Sequence, residues 1–299
     1  MVNILIIGGS GFIGKHLCKF LAKKKFTLNA IIKKKKINTK YIKRVNYIIC
    51  DILNSKKLKE VLKQPFEVII NCSGNIDHSN KKQTFKSHLT GLKNLLRYVD
   101  KKHLRLFIQL GSSLEYGRLN SPQKETKICR PVSNYGKAKY LASKSLIESK
   151  IKNYLILRLY QIYGPGQKFD RLIPYIIKSC LNNKKFKCSD GEQLRDFLYI
   201  DDLILLIKKI LLKNKKVKSG VYNIGYGKPV KVKKIIMMIN KITKSGSPQF
   251  GKIKMRKDEQ SKLYPSIKKI TKLVNWKPKT KIFVGIKKTI DFYRNNLNN

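Results

Sequence analysis

The sequence predicts an α/β protein: a doubly wound parallel sheet with a smaller C-terminal lobe. Three observations predict it. Short, near-continuous apolar runs recur through the first half, as strands covered on both faces require. Segments with helical apolar spacing stand between them. A glycine-rich turn, Gly8-Gly9-Ser10-Gly11, separates the first run from the first helix, and strands alternating with helices make a parallel sheet.

Residues 2–7 are the first strand. From Phe12 to about Lys24, the apolar residues Phe12, Ile13, Leu17, Phe20 and Leu21 share one helical face. Residues 28–32 and 47–50 are the next strands, a helix follows Asn54, and residues 68–71 form the fourth strand. Residues 89–99 read as helix, 106–110 as strand, 135–149 as helix and 155–159 as strand. After Gly164-Pro165-Gly166 the rhythm loosens into separate helical segments and short strands. The division expected is a first domain over 1–163 and a second lobe over 164–299, with segments crossing back.

The chain has 299 residues, 42% of them hydrophobic, enough for a core and against a disordered or fibrous protein. No stretch approaches the roughly 20 apolar residues of a membrane span, and no signal-peptide pattern opens the chain. A cytosolic protein without a membrane partner is expected. Lys+Arg number 67 against 17 Asp+Glu, giving +50, but only 10 of the cations are Arg. Lys, Ile and Asn share A/T-rich codons, so compositional drift accounts for the excess. A specific nucleic-acid reader would favour the planar fork of Arg, so no specific nucleic acid is expected, only weak polyanion binding. The six cysteines form no CxxC pair and the four histidines are scattered. Free thiols are expected, with neither a metal site nor a disulfide framework.

Glycines at a strand–helix turn let backbone N–H groups approach a pyrophosphate, whose charge the helix N-terminus favours. Gly8, Ser10, Gly11, Phe12, Ile13 and Gly14 are therefore candidate cofactor contacts, with Gly14 allowing close helix–strand packing. A plain tight turn is the competing reading, and the placement favours a nucleotide.

This GxxGxxG spacing, together with Tyr135-Gly136-Lys137-Ala138-Lys139, resembles the extended branch of the short-chain dehydrogenase/reductase family, which acts mainly on nucleotide sugars. Leu110-Gly111-Ser112-Ser113-Leu114-Glu115-Tyr116-Gly117, Tyr163-Gly164-Pro165-Gly166, Arg195-Asp196-Phe197-Leu198-Tyr199-Ile200-Asp201-Asp202 and Trp276-Lys277-Pro278 match further signatures of the branch in order. The likeness covers nearly the whole chain. It implies a Rossmann-like dinucleotide-binding domain and a substrate-binding lobe.

An acidic residue ending the second strand would bind the ribose hydroxyls of NAD. Here Lys33 and Lys34 follow Ile32. A cation there can pair with a 2′-phosphate, so NADP is the expected cofactor and NAD the alternative. The resemblance places Asp51 and Ile52 beside the adenine, and Cys72, Ser73 and Gly74 along the cofactor.

Tyr135 and Lys139 lie four residues apart, on one helix face. A nearby ammonium favours the ionised phenol, so the Tyr135 pKa is expected to fall toward the working range. By resemblance, Tyr135 exchanges a proton with the substrate oxygen, and Lys139 also holds the nicotinamide ribose. Ser112, four residues before Tyr116, hydrogen-bonds the same oxygen. Dehydratases of the family carry an acid–base pair directly after this serine or threonine. Ser113 and Leu114 hold those places here, and in extended backbone Glu115 would face the other way, so elimination of water is not expected. His88 stands where the family usually has Asn.

The resemblance makes Arg195 and Arg256 ligands of a nucleotide diphosphate. Ser112, Ser113 and Gln161, the last near the family's usual substrate-contacting Asn, are the other substrate contacts. Residues 172–177 and 191–197 look most like reductases of 4-keto-6-deoxy nucleotide sugars. The expected activity is thus NADP(H)-dependent reduction of a nucleotide-diphosphate sugar at a 4-keto group. A 4-epimerase retaining NAD would use the same side chains and is the alternative. A cofactor-bound regulatory or polyanion-binding protein without turnover is the alternative of another class. Homodimerisation is a family expectation.

Overall fold

Alternate residues of the first strand enter different cores. Ile4 and Ile6 join one apolar cluster, Leu5 and Ile7 the other, as the two-residue period of a strand covered on both faces dictates. The structure is a computed structural model that describes residues 1–34, 41–75, 80–213, 217–255 and 259–297. Its first half runs β1 (Val2–Ile7), α1 (Phe12–Leu21), β2 (Phe26–Ile32), β3 (Asn46–Ile49), α2 (Ser55–Val61), β4 (Val68–Asn71), α3 (Lys81–Phe85), α4 (Gly91–Tyr98), β5 (Leu106–Ser112), α5 (Asn134–Ile147) and β6 (Tyr154–Leu159). The second half adds β7 (Gln161–Tyr163), α6 (Leu172–Leu181), β8 (Lys185–Lys187), β9 (Leu194–Arg195), β10 (Phe197–Tyr199), α7 (Ile200–Leu211) and β11 (Gly220–Ile224). It closes with β12 (Val230–Lys231), α8 (Val232–Thr243), β13 (Ser247–Gln249), β14 (Lys262–Leu263), α9 (Lys268–Val274) and α10 (Ile282–Leu297).

Seven strands form one sheet in the order β3-β2-β1-β4-β5-β6-β11, and every pairing in it is parallel. The sheet grows one way from β1 through β3 and then the other way from β4. The crevice outside the strand ends at this reversal is where open α/β sheets bind ligands. β11, from the second half of the chain, completes the far edge of the sheet. The second half also builds a small sheet, β12-β9-β14. The loop after β5 is tied to the segment after β14: Gln123 N–H donates to the Tyr264 carbonyl at 2.9 Å, and Ser266 N–H to the Gln123 carbonyl at 2.8 Å. Among the described residues, no helix is long and apolar enough to cross a membrane.

Two elements differ from the sequence expectation. α1 stops at Leu21 rather than near Lys24, because the three lysines that follow bring nothing to its apolar face. The helix expected over 89–99 begins eight residues earlier, at Lys81, where the Asn80 side chain accepts the Gln83 N–H at 2.9 Å. It passes through a π-helical turn at Lys86–Thr90 before α4. Residues 81–88 show almost no apolar period, since the buried members of α3 and the π turn are Thr84 and His88.

Candidate active site

The glycine turn follows β1 directly. Gly8 and Gly9 N–H both donate to the Ile31 carbonyl, at 2.9 and 3.0 Å, and Gly11 N–H donates to Gly8 O at 3.0 Å. α1 then starts with no side-chain cap and no acidic residue in its first turn. Its first N–H groups therefore lack intrahelical acceptors and face an anion-sized need. Gly14 packs so closely on the turn that a Cβ there would lie 2.2 Å from the Gly8 oxygen. Backbone donors, an uncapped helix end and this close packing fit a dinucleotide pyrophosphate.

From this turn a cleft of about 1090 Å³ crosses the strand ends. It brings together Ser10, Gly11, Phe12 and Ile13 with Cys72, Ser73 and Gly74, then Ser112, Ser113, Tyr135 and Lys139, and finally Gln161 and Arg195. Gly8 and Gly14 lie in the turn itself. Lys33, Asp51 and Ile52 stand at the neighbouring strand ends rather than in the cleft lining. Lys33 Nζ is 2.9 Å from Asp51 Oδ2. Burial works against the Asp51 carboxylate, but the Leu53 N–H and Lys33 outweigh it and hold its pKa below the usual value. Arg256 lies outside the described residues.

Tyr135 enters in the first turn of α5, which Ser133 caps by accepting the Gly136 N–H at 3.0 Å. Its phenol is hydrogen-bonded to Ser112, whose Oγ also accepts the Leu114 N–H at 3.2 Å. Lys139 Nζ lies 5.9 Å from the centre of the Tyr135 ring and donates to the Leu110 carbonyl at 2.8 Å. His88 meets the Tyr135 ring edge-on, with centroids 5.1 Å apart, and its Nε2 is 2.9 Å from the Asn75 carbonyl.

The ionisation expected of Tyr135 is corrected. Burial pushes the phenol up to about 12, with the Ser112 hydrogen bond only partly opposing it. Lys139 does not lower it, because its ammonium is directed at Leu110 O and is itself pushed down to about 8 by burial, against the pull of Glu115. In this structure Tyr135 is an acid, not a phenolate.

After Ser112 the chain is a 3₁₀ turn, Ser113–Tyr116, not extended backbone. Glu115 nevertheless turns away from the cleft. It is fully buried, and its carboxylate pairs with Arg158 Nε at 2.9 Å. At the far end, Arg195 is buried on β9 and donates through Nη2 to Glu259 Oε1 at 2.6 Å and through Nη1 to Leu194 O at 2.9 Å. Gln161 is exposed, and its N–H donates to the Asp196 carbonyl at 3.1 Å. Neither Glu115's network nor Glu259 was expected from sequence; both join residues distant along the chain, which local pattern cannot reveal.

A model of the NAD dependent epimerase/dehydratase family matches residues 4–225. The chain is 31% identical over 258 residues to a dTDP-D-glucose 4,6-dehydratase of Dictyostelium discoideum, covering 75% of this chain and 58% of that relative. It is 26% identical over 303 residues to a CDP-abequose synthase of Salmonella muenchen, covering 96% of this chain and 97% of the relative. Among solved structures, it is similar to a UDP-glucuronic acid 4-epimerase from Bacillus cereus in complex with UDP-glucuronic acid and NAD. That likeness has a TM-score of 0.88 and 26% identity, over 99% of this chain and 100% of that one.

Proposed function

The chain belongs to the NAD dependent epimerase/dehydratase family, and from that premise we propose that it reduces the 4-keto group of a nucleotide-linked, 6-deoxy type sugar with NADPH. One observation supports this reading: Tyr135, beside Ser112 in the cleft, is pushed up to about 12 by burial and so carries a proton it can donate. Reduction needs such a proton donor at the carbonyl oxygen.

A bound reduced nicotinamide coenzyme supplies hydride to the carbonyl carbon. Tyr135 donates its proton to the developing oxyanion, and Ser112 hydrogen-bonds the same oxygen, a stabilisation that grows with the charge. Lys139, whose Nζ lies 5.9 Å from the centre of the Tyr135 ring, holds the coenzyme ribose. Arg195 binds the diphosphate, sharing its fork with Glu259, and Arg256 adds a second cation. Elimination of water is disfavoured because Ser113 and Leu114 stand where it would need carboxylates, and Glu115 is engaged by Arg158. The likeness to CDP-abequose synthase supports the same reading. Residues 1–163 carry the coenzyme and 164–299 chiefly the sugar nucleotide. Six free cysteines suit a reducing compartment such as the cytosol.

NADP is the preferred coenzyme in this reading, since Lys33 and not a carboxylate follows the end of β2. Incubation with a panel of 4-keto nucleotide sugars and NADPH, followed by coenzyme absorbance and product stereochemistry, tests the proposal. Stoichiometric NADPH consumption is expected. Protein that purifies with NAD bound and isomerises a 4-hydroxy nucleotide sugar without added coenzyme would instead be an epimerase. If Tyr135→Phe left all cellular function intact, the role would be regulatory.

A further inference from the structure

Glu115 has no part in the proposed reaction, yet it is fully buried directly beside the reacting groups. Its Oε1 accepts the Ser112 backbone N–H at 2.8 Å. Its Oε2 accepts Ser143 Oγ and Arg158 Nε, each at 2.9 Å. Ser143 belongs to α5, the helix that presents Tyr135 and Lys139, and Arg158 to β6. One carboxylate therefore joins the end of β5, the catalytic helix and the neighbouring strand. The space for it comes from Gly111, where a Cβ would stand 2.5 Å from Glu115 Oε1.

A buried ion pair is seldom more stable than apolar side chains filling the same volume. What this one adds is direction and charge. The Ser112 N–H is fixed from one side by Glu115 while Ser112 Oγ is fixed from the other by the Leu114 N–H, a closed capping box around the serine.

We propose that Glu115 is a positioning residue: it holds the Ser112 main chain so that the serine hydroxyl meets Tyr135, and it places a fixed negative charge behind the Tyr135–Lys139 pair. Its consequence for turnover rests on the reductase reading; its effect on Ser112 and Tyr135 does not. The charge of Glu115 raises the pKa of both Tyr135 and Lys139. Other groups bear on the cluster. Arg158 lies 4.4 Å from the Tyr116 ring, Cys129 faces Glu115 and Arg158, Cys72 faces Lys139 and Arg171 faces Tyr135. The net effect of Glu115 is to keep the phenol a donor, and the ammonium charged, to higher pH.

Two variants separate direction from charge. Glu115→Gln keeps the shape and one acceptor for Ser112. The double variant Glu115→Met with Arg158→Met removes the pair whole, so that no lone charge is left buried. In the double variant, kcat on the 4-keto substrate is expected to fall about tenfold or more with the NADPH Kd changed less than about twofold. In both variants, the alkaline fall in kcat is expected at lower pH, because loss of the carboxylate makes Lys139 and Tyr135 easier to deprotonate. A kcat and an alkaline limb both unchanged in the double variant would overturn the proposal. If the native protein reduces no 4-keto sugar, the reductase reading fails and the positioning claim is read without turnover. Ultraviolet titration of each background against its own Tyr135→Phe partner then isolates the Tyr135 phenol. A lower midpoint in the double variant upholds the claim, and an unshifted one overturns it.

Discussion

Lys139 Nζ donates a hydrogen bond to the carbonyl oxygen of Leu110 at 2.8 Å, which pins α5 to the end of β5 beside Ser112. The contact keeps the ammonium within reach of the Tyr135 ring but out of water, and burial pushes the Lys139 pKa down to about 8. If turnover needs the charged ammonium, the rate at saturating NADPH is expected to fall as pH rises through about 8, long before Tyr135, pushed up to about 12, ionises. A pH profile of kcat checks this; a rate level to pH 10 would separate Lys139 from catalysis.

The same burial has a stability cost. Above the ordinary lysine value of 10.5 the side chain is neutral in folded and unfolded chains alike; between 10.5 and about 8 only the unfolded chain binds the proton. Stability therefore declines as pH falls through that window, and the full cost is present below it. Lys139→Met should stabilise the fold at pH 7 by roughly 1–3 kcal/mol, the loss of the Leu110 hydrogen bond offsetting about 1 kcal/mol. The gain should shrink between pH 8 and 10.5. Denaturant unfolding at pH 7 and pH 10 measures both, and a variant less stable than the parent at pH 7 would contradict the account.

Gly14→Ala puts a methyl group 2.2 Å from the Gly8 oxygen. α1 must then retreat from the turn that its N-terminus completes. A destabilisation of about 1–3 kcal/mol is expected, with coenzyme affinity weakened about tenfold or more as the N–H groups lose their aim. Thermal unfolding and coenzyme fluorescence titration on one preparation would show both effects.

Lys33→Asp reverses the charge at the end of β2, where Lys33 now pairs with Asp51. The ratio of NADPH to NADH affinity is expected to drop by about tenfold, the worth of one charge-assisted contact to a 2′-phosphate. An unaltered ratio would remove Lys33 from coenzyme choice.

The elements most legible in the sequence are those that speak locally. β1 is an apolar run ended by glycines, and Tyr135 and Lys139 share a helix face at a fixed spacing. What escaped is built from contacts across the chain. Glu115 finds Ser143 and Arg158 at separations of 28 and 43 residues, and Arg195 finds Glu259 at 64. The start of the helical path at Lys81 escaped for a different reason: its cap is a single Asn80, and its buried face carries polar residues. The phenol's ionisation depends on enclosure, which residue spacing alone does not report.

The most direct test uses NADPH carrying deuterium at the transferred position, a 4-keto-6-deoxy nucleotide sugar, and mass and NMR analysis of the sugar. Deuterium at C4 in a single configuration is predicted, with the rate reduced about a hundredfold or more in Tyr135→Phe. A 4-keto sugar recovered unreduced and free of deuterium, on protein that instead isomerises a 4-hydroxy nucleotide sugar with its bound NAD, would contradict the account.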